Sequence, residues 1–474
     1  MNIDSKTVEQ IVGQVLSQIN TASGEASPAP CAGPECGDWG VFETMDAAIE
    51  ASDKAWHEYL AHSMADRDKY VTAIREIFTE PEMLEHLSYE AVKQSGMGNV
   101  ADKITKNRLA ALKSPGVEDL TTEAISGDDG LTLIEYSPFG VIGAITPTTN
   151  PSETIICNSI GMLAGGNTVV FSPHPRAKAL SVEMVQLINR TLVNLGAPAN
   201  LVAMVREPSI EATNAMMAHP KVRMLVATGG TGIVKAVLSS GKKAIGAGPG
   251  NPPAVVDETA DLEQAARDIV NGHCFDNNLP CIAEKEVIVV DAVADMLIHN
   301  MKKNGAYLVK NQQTIDNLVN LVVKDGKPVT EFVGKSAKYI FSKIGVEVDD
   351  SVRTIMIEAT EDHPFVQVEL MMPILPVVRV DNVDDAIDMA VRVEHGNRHS
   401  AMMHSKNVDK LSKMAKLIQT TIFVKNGPSY AGLGAGGMGI ATFTIAGPTG
   451  EGLTSAKSFC RKRKCVLVGG LDVR

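Results

Sequence analysis

The chain has 474 residues, of which 44% are hydrophobic and only 4% aromatic, with 40 glycines and a formal net charge of −12. That length is enough for roughly two or three domains with large cores, and the composition is typical of an alternating α/β protein rather than a β-sandwich or a disordered chain. The acidic balance argues against a nucleic-acid or anionic-membrane partner. Because the 7 cysteines are odd in number without framework spacing, and the N-terminus has no apolar segment typical of a signal peptide, we expect reduced thiols in a cytosol. No apolar run reaches the length of a membrane span.

The first predicted element is an amphipathic helix within residues 1–20. Its apolar residues recur at helical spacing, with polar residues between them: Val8, Ile11, Val12, Val15, Leu16 and Ile19. Residues 21–40 are rich in Ala, Ser, Pro and Gly and predict a flexible linker. A short helix on such a linker indicates a docking peptide, and the alternative is a helix that folds back onto its own domain.

The body of the chain alternates between helical and strand-like patterns. Residues 41–112 predict helices, and strand-like segments follow at 132–136, 141–145, 168–171, 201–205 and 224–227. A second series of the same kind runs from about residue 254 to about residue 424. This alternation predicts mostly parallel sheets covered by helices.

Cys281 is the first candidate for chemistry. It lies in a polar loop after Asn277, Asn278 and Pro280, directly before the β-branched strand pattern of residues 287–290. A strand so close can hold the loop rigid, which suits a nucleophile that must meet a substrate. The alternative is a small buried core cysteine, and the local sequence leaves both interpretations open.

Asn150 is the second candidate, between the predicted strand 141–145 and an apolar helix. With Pro151 at the first helical position and Glu153 at the third, Asn150 has the pattern of a helix N-cap. An amide N–H at such a strand-to-helix switch can also donate to a developing oxyanion. The two roles do not exclude each other.

Two glycine-rich segments are candidates for phosphate-binding loops. Residues 228–232 follow a predicted strand and open a helix, so their backbone can approach a phosphate. The literal G-x-G-x-x-G at Gly432, Gly434 and Gly437 is followed by the strand-like residues 442–445 instead of a helix, so we interpret it as a loop.

In their order and spacing these pieces resemble the aldehyde dehydrogenase superfamily, and more closely its CoA-acylating propionaldehyde and acetaldehyde dehydrogenases of bacterial microcompartments. The similarity extends from about residue 40 to the end of the chain and is carried by the segments 137–143, 149–151, 246–253, 278–285, 369–376 and 423–430. The resemblance implies an α/β fold with a Rossmann-type cofactor domain, an α/β catalytic domain and a small oligomerisation β-arm. The implied division is 41–116 with 136–246 for NAD binding, 247–428 for catalysis, and 117–135 with 440–474 for oligomerisation.

The resemblance also implies roles for individual residues. Cys281 would be the nucleophile, and Asn150 would form the oxyanion hole with the Cys281 backbone N–H. His399 matches a histidine near the active site of acylating relatives, although a satisfied polar residue at a strand end is an equal alternative. The implied cofactor-binding residues are Thr148, Ser172, His174, Thr228, Gly229, Gly230, Ile233 and Glu369, and no metal site is implied.

The implied reaction is the oxidation of a short-chain aldehyde to its acyl-CoA, with NAD and coenzyme A as cofactors. Hydrolytic relatives carry a glutamate that activates water, and here Gly246 or Ala247 takes its place. The alternatives are a hydrolytic aldehyde dehydrogenase and a scaffolding component whose working part is the N-terminal helix. The resemblance further implies a homo-oligomer, a dimer or tetramer, inside a protein-shelled microcompartment of the bacterial cytoplasm, with residues 1–20 docking on shell proteins and no nucleic-acid or membrane partner.

Overall fold

The computed structural model describes residues 38–471. The predicted helix of residues 1–20 and nearly all of the predicted linker 21–40 lie outside this part of the chain. Among the described residues, no helix is long and apolar enough to cross a bilayer.

The first part of the chain, up to residue 247, alternates strands and helices. Its strands are β1 (Val41–Phe42), β2 (Glu123–Gly127), β3 (Gly130–Pro138), β4 (Val141–Thr146), β5 (Thr168–Pro173), β6 (Val202–Val205), β7 (Val222–Thr228) and β8 (Lys243–Ala247). Its helices are α1 (Met45–Tyr59), α2 (Met64–Ile77), α3 (Pro81–Ser95), α4 (Val100–Lys113), α5 (Pro151–Ala164), α6 (Lys178–Asn194), α7 (Ile210–Ala218) and α8 (Thr231–Leu238).

Six of these strands form a parallel sheet in the order β1-β6-β5-β4-β7-β8. Alternate residues of β4 pack into two different hydrophobic clusters: Ile142 and Ala144 into one, Val141 and Ile145 into the other. The sheet therefore has a core on each face, which is why its strands are apolar without alternation. Strand order reverses beside β4, and ligands of such sheets bind at the carboxyl ends of the strands at this switch point.

The second part of the chain repeats the pattern. Its strands are β9 (Pro253–Val256), β10 (Glu286–Val290), β11 (Ala306–Val309), β12 (Val323–Lys324), β13 (Lys327–Pro328), β14 (Thr354–Glu358), β15 (Ile374–Val380), β16 (Ser400–His404) and β17 (Ile422–Lys425). Its helices are α9 (Leu262–Cys274), α10 (Asp291–Lys303), α11 (Gln312–Val322), α12 (Ala337–Ser342), α13 (Pro364–Gln367), α14 (Val383–Val393) and α15 (Val408–Ile418). Seven strands form a parallel sheet, β11-β14-β15-β10-β9-β16-β17.

The end of the chain adds β18 (Ile445–Ala446), β19 (Gly452–Leu453) and the long β20 (Cys460–Val468). β20 pairs antiparallel with β3, which pairs antiparallel with β2, in a separate three-stranded sheet. The strand expected at 132–136 therefore belongs to this antiparallel sheet and not to the parallel series. The strand expected at 442–445 is also wrong in extent, since only Ile445 of that segment is in a strand.

Candidate active site

A cavity of about 420 Å³ lies where the two parallel sheets meet. The first sheet contributes the last residues of its strands, among them Thr146 of β4, Thr228 of β7 and Ala247 of β8. The second sheet contributes loops that lead into its strands, with Cys281 ahead of β10 and His399 ahead of β16. All site residues predicted from the sequence line this single cavity: Thr148, Asn150, Ser172, His174, Thr228, Gly229, Gly230, Ile233, Cys281, Glu369 and His399.

The loop that carries Cys281 begins with three successive residues in the left-handed region, Asp276, Asn277 and Asn278, with φ of 50°, 55° and 65°. Such a conformation is costly for residues other than glycine and persists only where the surroundings hold it. Asn277 Nδ2 donates to Gly334 O at 2.9 Å, and Asn278 Nδ2 donates to His273 O at 2.9 Å. The loop is therefore a rigid mount for the cysteine.

Two buried ionisable residues after the cysteine, Glu284 and Lys285, also hold the loop in place. Lys285 Nζ donates to Asn278 Oδ1 at 2.5 Å, and the Glu284 carboxyl accepts from Ser429 N and Ser429 Oγ, each at 2.8 Å. Burial raises the pKa of Glu284 to about 8 and lowers the pKa of Lys285. The sequence analysis assigned no role to Glu284 or Lys285. The only signal in the sequence is that an acidic and a basic residue follow each other shortly after Cys281.

The Cys281 side chain is partly exposed to the cavity, yet its surroundings disfavour the thiolate. Burial raises the pKa of Cys281 to about 12, and the Glu369 carboxylate pushes in the same direction, while Lys285 opposes both. The cysteine is consequently a protonated thiol near neutral pH and must lose its proton when it reacts.

Asn150 begins α5 as predicted, but its side chain makes no capping hydrogen bond. Its Oδ1 instead accepts from Lys106 Nζ at 2.6 Å, and its Nδ2 donates to Thr149 Oγ1 at a longer 3.3 Å. The predicted capping role of the side chain is thus wrong, because a buried ammonium takes the amide oxygen. The helix start itself is correct, with Pro151 in the first turn.

His399 is buried, and its ring faces the cavity beside the cysteine loop. A Cβ added to Gly250 would lie 2.8 Å from Cys281 O and 2.9 Å from His399 Cγ, so both residues flank the same glycine. His399 Nδ1 is 2.6 Å from Ser400 Oγ, while Nε2 has no partner among the described residues. Burial lowers the pKa of His399 to about 4, so the ring is neutral near pH 7 and Nε2 can accept a proton when Nδ1 holds the hydrogen.

Comparison with known proteins decides the family. The aldehyde dehydrogenase family model matches residues 40–442. The chain belongs to the aldehyde dehydrogenase family. A CoA-propanoylating propanal dehydrogenase of Citrobacter freundii is 47% identical over 473 residues, 100% of both chains.

Solved structures of the aldehyde dehydrogenase family agree. A propionaldehyde dehydrogenase of Rhodopseudomonas palustris, solved with bound CoA and an acylated cysteine, is 66% identical with a TM-score of 0.91 over 92% of this chain and 100% of that one. A propionaldehyde dehydrogenase from the fucose-utilisation microcompartment of Clostridium phytofermentans is 53% identical with a TM-score of 0.90 at the same coverages. The predicted family, its acylating branch and the α/β fold class are confirmed.

The cavity walls fit the dinucleotide that aldehyde dehydrogenases use. Thr146 Oγ1 and Thr148 Oγ1 are buried without a hydrogen-bond partner among the described residues, so the wall offers unused polar groups. Gly230 precedes α8 without a capping side chain, and a Cβ at Gly230 or Gly248 would meet only open space. The helix N-terminus is thereby left open to an anionic group.

The remaining predicted cofactor residues have identifiable neighbours. Thr228 Oγ1 lies 2.8 Å from Thr444 Oγ1, and Ser172 Oγ lies 2.8 Å from Thr213 Oγ1, so two threonines not singled out in the sequence help to form this aldehyde dehydrogenase site. Glu369 Oε1 accepts from Gly250 N at 3.2 Å. Glu369 therefore borders the same glycine as Cys281 and His399.

The raised thiol pKa predicts how the unliganded enzyme reacts with iodoacetamide. Since the thiolate is the reactive form, inactivation should accelerate about tenfold per pH unit between about pH 7 and about pH 10 without reaching a plateau. Residual activity after timed exposure measures the rate, and mass spectrometry of the peptide carrying Cys281 checks the site of labelling. A plateau below about pH 8 would mean that the thiolate is stabilised rather than disfavoured.

Proposed function

We propose that the chain oxidises a short-chain aldehyde to its acyl-CoA, with NAD as hydride acceptor and Cys281 as the nucleophile. The observation that carries the proposal is the convergence of Cys281, Asn150 and His399 on one cavity whose only lining carboxylate, among the described residues, is Glu369. The names of the acylating relatives support the same activity. The roles of the individual residues are our assignment.

In this reaction Cys281 releases its thiol proton to water in the cavity, and Sγ attacks the aldehyde carbon. The resulting oxyanion accepts a hydrogen bond from Asn150 Nδ2. NAD, when bound, accepts the hydride that leaves the thiohemiacetal carbon. The chain then holds the acyl group as a thioester on Cys281. His399 Nε2 accepts the proton of the CoA thiol, whose sulfur attacks the thioester and displaces Cys281 Sγ. The same proton then returns to Cys281 Sγ, which restores the thiol and neutral His399.

The test is a product balance. With NAD and CoA, propanal or acetaldehyde should give NADH and acyl-CoA in equal amounts, followed by absorbance and by mass spectrometry, and a panel of C2 to C4 aldehydes would rank the chain lengths. Free acid as the main product would favour the hydrolytic alternative. No turnover at all would favour the scaffolding alternative.

We further propose that the chain forms a homo-oligomer, a dimer or tetramer, through the three-stranded antiparallel sheet. This sheet exposes Ile125, Val466 and Val468, which are 61%, 62% and 85% accessible in the single chain. Its edge strands β2 and β20 each have an unpaired side among the described residues. Exposed apolar edges of this kind are normally covered by a partner. Light scattering tests this, because a mass near the 50.4 kDa of one chain would contradict it.

Residues 1–20 are proposed to recruit the enzyme to the shell of a microcompartment in the bacterial cytoplasm, on the strength of their amphipathic pattern and of the microcompartment relative. Removal of residues 1–20 should leave turnover unchanged and abolish co-localisation with shell proteins. Within the full chain, Leu16→Asp on the apolar face should have the same effect, while Gln14→Asp on the polar face should not. Loss of turnover on truncation, or equal effects of the two aspartates, would refute the docking role.

A further inference from the structure

A buried ionic cluster joins the two halves of the site. Lys106, on α4, is fully buried, and its Nζ lies 2.6 Å from Asn150 Oδ1, 2.9 Å from Glu153 Oε1 and 2.6 Å from Asp276 Oδ2. Asn150 and Glu153 stand at the start of α5, beside the first sheet, whereas Asp276 opens the loop that leads to Cys281. One ammonium therefore contacts both the proposed oxyanion donor and the mount of the nucleophile.

The contact with Lys106 decides which way the Asn150 amide faces. An ammonium group has only hydrogens to donate, so the atom it contacts must be the amide oxygen. The amide nitrogen is consequently turned away from Lys106, and its recorded acceptor among the described residues is Thr149 Oγ1 at 3.3 Å. A hydrogen of Nδ2 is therefore left for an oxyanion in the cavity, which Asn150 lines.

The contact between Lys106 and Asp276 concerns the second half of the site, the loop that leads to Cys281. Asp276 is the first of the three left-handed residues before the cysteine, and its Oδ1 accepts from Asn99 N at 2.8 Å while its Oδ2 also binds Lys103 Nζ at 2.9 Å. A side chain bonded at both oxygens cannot rotate without breaking several buried bonds. The position of the loop relative to α4 is thereby set.

Lys106 keeps its charge in this setting. Burial alone would lower its pKa, but Asp276 and Glu153 outweigh burial, so the pKa lies above the usual value. A permanent cation next to Asn150 Oδ1 also polarises the amide and makes its N–H a better donor.

We propose that Lys106 is a positioning residue of the reaction: it orients the Asn150 amide toward the oxyanion, while Asp276, at the start of the Cys281 loop, helps to hold the ammonium in place. This inference rests on the proposed function. It predicts that the effect of a Lys106 substitution on kcat depends on whether Asn150 is present. A lysine with only a structural role would lower kcat equally with and without Asn150.

A double-mutant cycle on acyl-CoA formation tests it. Asn150→Ala should lower kcat on the order of 10²-fold, the usual cost of one oxyanion donor, and Lys106→Met should lower kcat to a similar extent with little change in the KM for CoA. If Lys106 acts through Asn150, the double variant should be no more than about threefold slower than Asn150→Ala alone. Losses that multiply, or an Asn150→Ala variant with normal kcat, would overturn the proposal.

Lys103→Met is the matched control. Lys103 is also fully buried against Asp276 Oδ2 and lies on the same helix, but it contacts Thr149 O rather than the Asn150 side chain. The fold-loss in kcat of the double variant Lys103→Met/Asn150→Ala should therefore equal the product of the fold-losses of the two single variants. If the cycle with Lys103→Met shows a coupling to Asn150 as strong as the cycle with Lys106→Met, the kcat losses reflect a general loss of structure, and the specific role of Lys106 is refuted.

Loss of one buried cation leaves carboxylates uncompensated, so Lys106→Met is checked by thermal melting. If it does not fold, the cycle is run with Lys106→Met/Glu153→Gln against Glu153→Gln, which removes one buried charge. The two levels of inference fail differently. A wild-type enzyme without acyl-CoA formation refutes the proposed function, whereas an active wild type with multiplying losses refutes only the role of Lys106.

Discussion

Cys281→Ala should abolish both NADH formation and acyl transfer, with a loss on the order of 10⁴-fold or more and a fold that still melts cooperatively. The reason is that no other group can carry the acyl chain: Cys281 is the only cysteine lining the cavity among the described residues. Alanine removes the nucleophile and leaves the left-handed turn before it in place. Initial rates with propanal, NAD and CoA measure the effect.

Cys274→Ala is the matched control for this experiment. Cys274 is the last residue of α9, only 8% exposed and packed in the hydrophobic cluster of the second sheet. Its loss should cost about 1 kcal/mol of stability, as small core truncations do, and leave most of the activity. Equal inactivation of the two variants, with both folded, would contradict the assignment of the nucleophile.

NADH formation should depend on CoA in the steady state. Without CoA we expect a burst of about one NADH per active site followed by slow turnover, because the glutamate that activates water in hydrolytic relatives is replaced here by Gly246 or Ala247. General-base assistance is typically worth about 10² to 10⁴-fold, and a CoA thiolate is intrinsically the stronger nucleophile. Rapid mixing with and without CoA measures the burst and the slow phase.

The structure shows what occupies the place of the glutamate that activates water in hydrolytic relatives. Ala247 lines the cavity and has no group that can accept a proton, while Gly246 faces α8, where an added Cβ would lie 2.7 Å from Val234 Cγ1. A glutamate could therefore reach the cavity only from position 247. Full-speed formation of free acid without CoA would show that another group activates water and would favour the hydrolytic alternative.

The sequence predicted the residues that line the cavity better than the buried residues that hold them in place. The strand patterns predicted for β4, β5, β7 and β10 were confirmed, because strands covered on both faces are mostly apolar. The cavity residues were confirmed as neighbours, since loops at strand ends carry recognisable motifs. Their chemical roles stay predictions.

What the sequence did not predict depends on contacts between remote segments. Lys106, Glu153 and Asp276 look like ordinary surface charges in the sequence, and only folding brings them to one buried point. The N-cap pattern placed Asn150 correctly at the helix start, but it did not predict the side-chain contact, because Lys106 is distant in the sequence. Likewise β3 has the pattern of any strand, and its pairing with β20 near the other end of the chain has no local signature.

The two parallel sheets meet the cavity with opposite ends of their strands, the first with carboxyl ends and the second with the loops that precede its strands. This arrangement separates the residues proposed to contact the dinucleotide from those proposed to contact the acyl group. Under the proposed function, we expect dinucleotide preference to depend on residues that end strands of the first sheet, such as Ser172 and Thr228. We expect the acyl group and its acceptor to meet residues that precede strands of the second sheet, such as Cys281 and His399. We therefore expect that substitutions at the strand ends of the first sheet can change the dinucleotide preference without changing the aldehyde preference.

Lys106 is an exception to this separation. Its ammonium contacts Asn150, at the start of the helix that follows a strand of the first sheet, and Asp276, in the loop before Cys281, so a substitution of Lys106 affects both sides of the site.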